Sequence, residues 1–172
     1  FNYPKNHFTF FQGMLTPKDV SEIISTPPAL RAEFLSGISY NRTLFTWLYG
    51  YVMFEGEVFY AYHYGQKGQY FGEYIGMAMM RLPAKTYNKY VHLTAAVGDG
   101  VSYTEEIFKY ENRRDRRSSH WTNYLAIETA MHFLNTPYTI VLRLHHRSSA
   151  YGLILNGNTD SNFYCLGLRL SF

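Results

Sequence analysis

A two-residue period of hydrophobicity, held over segments of ten or more residues, is what most narrows the folds open to this chain. Between Pro137 and Ala150, Ile140, Leu142 and Leu144 point one way, while Thr139, Val141, Arg143, His145 and Arg147 point the other. From 163 to 172, Tyr164, Leu166, Leu168, Leu170 and Phe172 share one face, opposite Phe163, Cys165, Gly167, Arg169 and Ser171. Residues 123–133 repeat the pattern, with Leu125, Ile127, Thr129, Met131 and Phe133 against Tyr124, Ala126, Glu128, Ala130 and His132. Side chains alternate across a strand, so each segment has an apolar face backed by small, polar or ionisable residues. Strands in soluble sheets are about five or six residues long, whereas a tilted strand crossing a bilayer needs about ten. The length of these segments therefore favours a transmembrane barrel.

Composition agrees and removes the alternatives. Aromatic residues reach 19%, and charged residues only 17% against roughly 25% in ordinary soluble domains. So many residues that want burial or an interface exclude a disordered chain. The single cysteine, Cys165, excludes a disulfide scaffold. No run of about 18 apolar residues is present, so a transmembrane helix is excluded. A mean hydropathy of −0.26 is no objection to a membrane barrel, because alternation cancels in the mean. The net charge of +3 is too small to point to nucleic acid. The chain begins with Phe1, as expected of a mature protein that has lost its signal peptide.

Eight strands are expected near 7–15, 31–43, 48–64, 69–82, 89–103, 120–134, 137–150 and 161–172. The fold class is thus all-β, an eight-stranded antiparallel transmembrane barrel of the bacterial outer membrane, with residues 1–172 as one domain. Such a small barrel is filled by side chains, so no wide pore is expected. Long links at 16–30, where a short helix could run from Lys18 to Ser25, and at 104–119 alternate with short ones at Pro83–Asn88 and Asn135–Thr136. That matches long extracellular loops and short periplasmic turns, except that the link at Gly65–Gly68 is brief for an outer loop. Trp47, Tyr49, Tyr51, Tyr60, Tyr62, Tyr64, Tyr87 and Tyr90 suit interfacial girdles. The alternating last strand closes on an aromatic residue, like the C-terminal signature of bacterial outer-membrane barrels.

Chemistry concentrates in His145-His146-Arg147-Ser148-Ser149. The parity of Ile140, Leu142 and Leu144 carries His146 and Ser148 onto the lipid face. Two residues apart on a strand, their Cα atoms stand about 6–7 Å apart, close enough for a side-chain hydrogen bond. Polar groups there are costly unless they lie near the interface or have a task. A hairpin pairing 148 with 160 and 146 with 162 would bring Asp160 and Asn162 to the same face. Ser148 as nucleophile, His146 as general base and Asp160 as the group orienting the imidazole is then sterically available. Asn156 could offer an amide to an oxyanion.

This His-x-Ser on the penultimate strand, followed by an acidic residue in the last hairpin of an eight-stranded barrel, resembles the PagL family of outer-membrane lipid A 3-O-deacylases. The likeness is strongest over Val91–Glu105, Ser118–Phe133 and Thr139–Phe172, and is similar to a divergent, acyloxyacyl hydrolase-like branch. It implies a serine esterase acting on an ester-linked acyl chain of lipid A, without metal or cofactor. The family's serine falls on Ser148 and its histidine on His146. Its acid falls on Asp160 counted from the histidine, or on Asn162 counted from the C-terminus. Its oxyanion asparagines fall on Ser149, a departure, and on Asn156, a match. Implied partners are lipopolysaccharide and outer-membrane lipids, with a homodimer or larger envelope complex also open.

Other features have plainer readings. His145 and Arg147 face inward, toward a polar network with Glu128 or Glu73. Arg113, Arg114, Arg116 and Arg117 would contact lipid phosphates through their guanidinium forks, or simply form a solvated loop. His7, His63, His92, His120 and His132 show no metal-ligand spacing, so no metal is expected. Met77, Met79 and Met80 read as packing or lipid contact, and Cys165 as inward and inert. Two non-catalytic alternatives stay open, a structural or interaction barrel in an envelope assembly and a soluble lipocalin-like barrel.

Overall fold

The computed structural model describes residues 4–18, 22, 29–65, 68–86, 90–111, 119–149 and 160–172. Eight antiparallel strands close into one barrel in sequence order: β1 (Asn6–Thr16), β2 (Glu33–Trp47), β3 (Val52–Gly65), β4 (Phe71–Thr86), β5 (Val91–Thr104), β6 (Trp121–Phe133), β7 (Tyr138–Ser148) and β8 (Asp160–Ser171). Closure of β1 on β8 leaves no free sheet edge. The expected alternation of links holds, with the short turns and both terminal strand ends at one rim and the longer connections at the other.

The strands depart from expectation mainly at their ends. Residues 48–50 form a one-turn 3₁₀ segment rather than the start of β3, because Leu48 and Tyr49 adopt positive φ (49° and 55°) to reverse the chain. β4 runs on to Thr86 past Pro83, which is tolerated because the pairing with β5 shifts there. The tight β6–β7 turn uses Asn135 at φ 67°, a conformation asparagine accepts readily. The helix expected over Lys18–Ser25 lies largely outside the described residues, as does Tyr87.

The interior combines buried charges with aromatic and aliphatic side chains, and the outer wall is mostly apolar. Arg81, Arg143, Arg147 and Arg169 are fully buried, whereas Phe10, Leu142, Leu166, Leu168 and Val58 are exposed on the outer wall. A wall this apolar belongs to a membrane barrel rather than to a water-soluble lipocalin-like one, whose outer face would be polar. Charges this deep are tolerated only when paired. Glu128 accepts from three guanidiniums at once, Arg81 Nη2 at 2.7 Å, Arg143 Nη2 at 2.6 Å and Arg169 Nη2 at 2.8 Å. Glu55 pairs with Arg81 and Glu57 with Arg143, so three carboxylates meet three arginines in mid-barrel. Phe11 and Phe59 roof this cluster, with the Arg143 guanidinium carbon 4.5 Å from the Phe11 ring centre. Gly167 and Gly37 make room for those rings, since a Cβ at either would lie 2.7 Å from Phe11 Cε1 or 2.4 Å from Phe59 Cε2. Met77, Met79 and Cys165 point inward and Met80 outward.

Candidate active site on the outer wall

β7 and β8 pair in the anticipated register, His146 opposite Asn162 and Ser148 opposite Asp160. All four lie on the outward face at the long-loop rim. His145, Arg147 and Ser149 fall on the opposite parity and are buried, at 3% exposure or less. The network partner of His145 and Arg147 is Glu73 rather than Glu128.

Two side chains of β8 hold the imidazole of His146 at Nδ1. Its Nδ1 lies 2.7 Å from Asn162 Oδ1 and 3.3 Å from Asp160 Oδ1. The asparagine amide orientation follows from its other bonds. Asn162 Nδ2 donates to Asp160 Oδ1 and to the Lys18 carbonyl, both at 2.9 Å, so only its oxygen is left for the histidine. Two acceptors face Nδ1, which in the neutral ring therefore carries the proton. Both residues expected as the orienting group, Asp160 and Asn162, therefore stand against the imidazole. Asn162 makes the shorter bond and Asp160 supplies the charge, each tied to the other. The first long connection takes part through Lys18, and Asn162 is only 2% exposed although its strand face is outward.

Sequence reasoning missed the neighbours on β5 and β6. Asn123, the register partner of Ser148, donates to Asp99 Oδ1 at 3.0 Å and to the Gly100 carbonyl at 3.1 Å. Asp99, Asn123, Ser148 and Asp160 form a polar band across four strands of a mostly apolar wall. The signal lay in parity, since Asp99 and Asn123 are polar interruptions on the apolar side of their strands. Asn156, Arg113, Arg114, Arg116 and Arg117 lie outside the described residues.

Beneath the polar band the wall is grooved. A cleft of about 650 Å³ runs over β6, β7, β8 and β1, lined by Ile127, Leu142, Leu144, Tyr164, Leu166 and Met14 and reaching Phe34 and Tyr64. Leu144 and Tyr164 pair one rung below His146 and Asn162, so the groove begins directly under the histidine. The arrangement offers a base with a fixed tautomer, a hydroxyl on the same strand face and an apolar channel beside them. It suits nucleophilic attack on a bond next to a long apolar chain.

Comparison with solved structures places the architecture. The outer membrane enzyme PagL superposes with a TM-score of 0.66 at 12% identity, over 96% of this chain and 99% of that one. Neisserial surface protein A (NspA) superposes at 0.59 with 13% identity, over 97% of each chain. The fold is that of outer-membrane barrels. No family model matches the sequence, and no curated protein does. PagL is described as an enzyme and NspA as a surface protein, so the shared fold leaves activity to be argued from the site.

Proposed function

We propose that this protein is an outer-membrane serine esterase that removes an ester-linked acyl chain from lipid A. The observation that carries this reading is the outward His146, its Nδ1 fixed by Asn162 and Asp160, two residues along the strand from Ser148 and directly above an apolar groove. The exposed aliphatic wall, with aromatic side chains such as Trp47, Tyr51 and Tyr90 near one rim and Tyr62, Tyr70 and Trp121 near the other, supports a bilayer setting. The long-loop rim is then the outer-leaflet interface, where the acyl esters of lipopolysaccharide lie.

In the reaction, Ser148 Oγ adds to the ester carbonyl as His146 Nε2 takes its proton. Collapse of the tetrahedral intermediate breaks the bond to the sugar oxygen, which leaves with the proton returned by His146. Water, activated in turn by His146, adds to the acyl-serine and releases the fatty acid. Asp160 stabilises the imidazolium present in both steps, and Asn162 sets its orientation. The acyl chain occupies the groove. The Arg113–Arg117 run would engage the lipid phosphates, and Asn156 or the Ser149 backbone the oxyanion.

Mass spectrometry of lipid A from cells expressing the chain tests this. Loss of one acyl chain is expected with the unmodified protein and not with Ser148→Ala. Unchanged lipid A from a correctly folded barrel would instead support a second reading, a non-catalytic interaction barrel in the envelope. One feature favours that reading, since a neutral asparagine rather than a carboxylate makes the shorter bond to His146. Labelling of Ser148 by a fluorophosphonate separates the two.

A further inference from the structure

Inside the barrel, behind the outer-wall site, a second group of side chains converges. Glu73 on β4 lies 2.6 Å from His63 Nε2 on β3 and 3.1 Å from His145 Nε2 on β7, both distances measured to the same oxygen, Oε2. The three ligand-type atoms lie within 4.8 Å of one another and all three residues are buried. We propose that His63, Glu73 and His145 form a divalent-metal site of the zinc class, closed within the barrel, that ties β3 and β4 to β7.

The donors and their surroundings fit such an ion. Two imidazole nitrogens and one carboxylate oxygen make a set that suits Zn²⁺ and leaves a fourth position for water. The second oxygen of Glu73 is already engaged, accepting from Ser102 Oγ at 2.5 Å and lying 3.1 Å from Arg147 Nε. His145 Nδ1 lies 3.1 Å from the Tyr124 hydroxyl, which fixes the ring with Nε2 inward. Partners of this kind behind a ligating carboxylate and histidine orient metal ligands. The His63 ring stacks on Phe71, with centres 4.6 Å apart and 8° between planes, and meets the edge of Phe163 at 5.1 Å.

The protein alone leaves this group incompletely satisfied. His145 Nε2 is buried without a hydrogen bond despite its closeness to Glu73, and so is His63 Nδ1. Such groups are expensive in a closed interior. A tetrahedral ion at about 2.0–2.2 Å from each donor sets its ligands roughly 3.4 Å apart. His63 and Glu73 would therefore separate by less than about 1 Å, and the lone pair of His145 would gain a partner. Spacing along the chain gives no sign of this site, because residues 63, 73 and 145 meet only when the barrel closes. The proposal departs from the sequence-based expectation of no metal.

Phe108 and Glu111 of the β5–β6 connection close the barrel above this chamber, Glu111 accepting from Arg147 Nη1 at 2.8 Å. Loading is therefore expected during folding. The test is to refold the full chain into detergent with Zn²⁺, remove free and surface metal with a chelator, and count bound ions. About one ion per folded chain is expected. His63→Gln and His145→Gln should each lower that to below about one tenth, and His146→Ala on the outer wall should not. Co²⁺ refolded into the unmodified chain should show the visible absorption of a tetrahedral ion, a readout that needs no variant to fold. No retained metal, or retention that survives both interior substitutions or is lost with His146→Ala, would overturn the proposal.

Discussion

His145, His146, Arg147 and Ser148 are consecutive, yet they work in two unlike environments. His145 and Arg147 sit among buried carboxylates and rings, where every polar atom must find a partner inside the protein. His146 and Ser148 stand on the outer wall, tied to a rim of short polar side chains and a connection backbone. The inner pair holds the barrel together. The outer pair is the one proposed to carry the reaction. A strand that alternates every residue lets one segment serve both ends, and substitutions along it should separate them.

The largest effect belongs to the outer wall and to activity alone. Ser148→Ala is expected to lower the rate of ester hydrolysis by roughly 10⁴-fold or more, about 5.5 kcal/mol at 1.36 kcal/mol per tenfold. The unfolding midpoint in urea should hardly move, because a half-buried surface hydroxyl contributes little to stability. A stability loss as large as the activity loss would show that Ser148 belongs to the scaffold, and would break the division between the faces.

The reverse is expected inside. Glu128→Gln leaves Arg81, Arg143 and Arg169 sharing two carboxylates instead of three. Removing one partner of a buried ionic cluster costs about 3–5 kcal/mol. Folding should fail or the urea midpoint should fall steeply, as read by the unheated gel mobility that marks a closed barrel. Any fraction that folds should keep its esterase rate within a few-fold, since Glu128 touches nothing on the outer wall.

How much of this could be read from the chain follows from the same alternation. Parity along Ile140, Leu142 and Leu144 was enough to place His146 and Ser148 outside and His145 and Arg147 inside, because a closed barrel lets no strand turn over. The pairing of β7 with β8 was also legible, since the two alternating runs meet across one connection. What a single strand cannot show is its more distant neighbours. The choice of Glu73 over Glu128 as partner of Arg147, and the meeting of His63, Glu73 and His145, depend on the stagger of all eight strands. Asn123 and Asp99 enter the polar band for the same reason, by cross-strand register rather than by motif. The expected start of β3 at residue 48 failed locally, where a run of apolar and aromatic residues looks like strand but Leu48 and Tyr49 turn.

The two partners of His146 offer a finer cut within the outer face. Asp160→Asn removes the charge that stabilises the imidazolium and keeps a side chain of similar shape. A fall of about 10²–10³-fold in rate is expected, smaller than for Ser148→Ala because Asn162 still orients the ring. Asn162→Ala should cost less, about tenfold, and should loosen the contact with Lys18. If Asp160→Asn were silent while Asn162→Ala abolished activity, the orienting role would rest with the amide alone, and the carboxylate would serve only to hold Asn162.

The smallest effect distinguishes the groove from the site above it. Leu142 is 58% exposed and lines the channel below His146 without touching the polar band. A bulkier ring in Leu142→Trp would displace part of a bound acyl chain. Each buried methylene is worth about 0.8 kcal/mol, so losing two would slow cleavage of a long-chain ester roughly 15-fold. An acetyl ester, which never reaches the groove, should be hydrolysed at the unmodified rate. Equal losses on both substrates would mean that the wall below His146 shapes the reacting groups themselves rather than holding the chain. The outer face would then act as one unit rather than as a site above a channel.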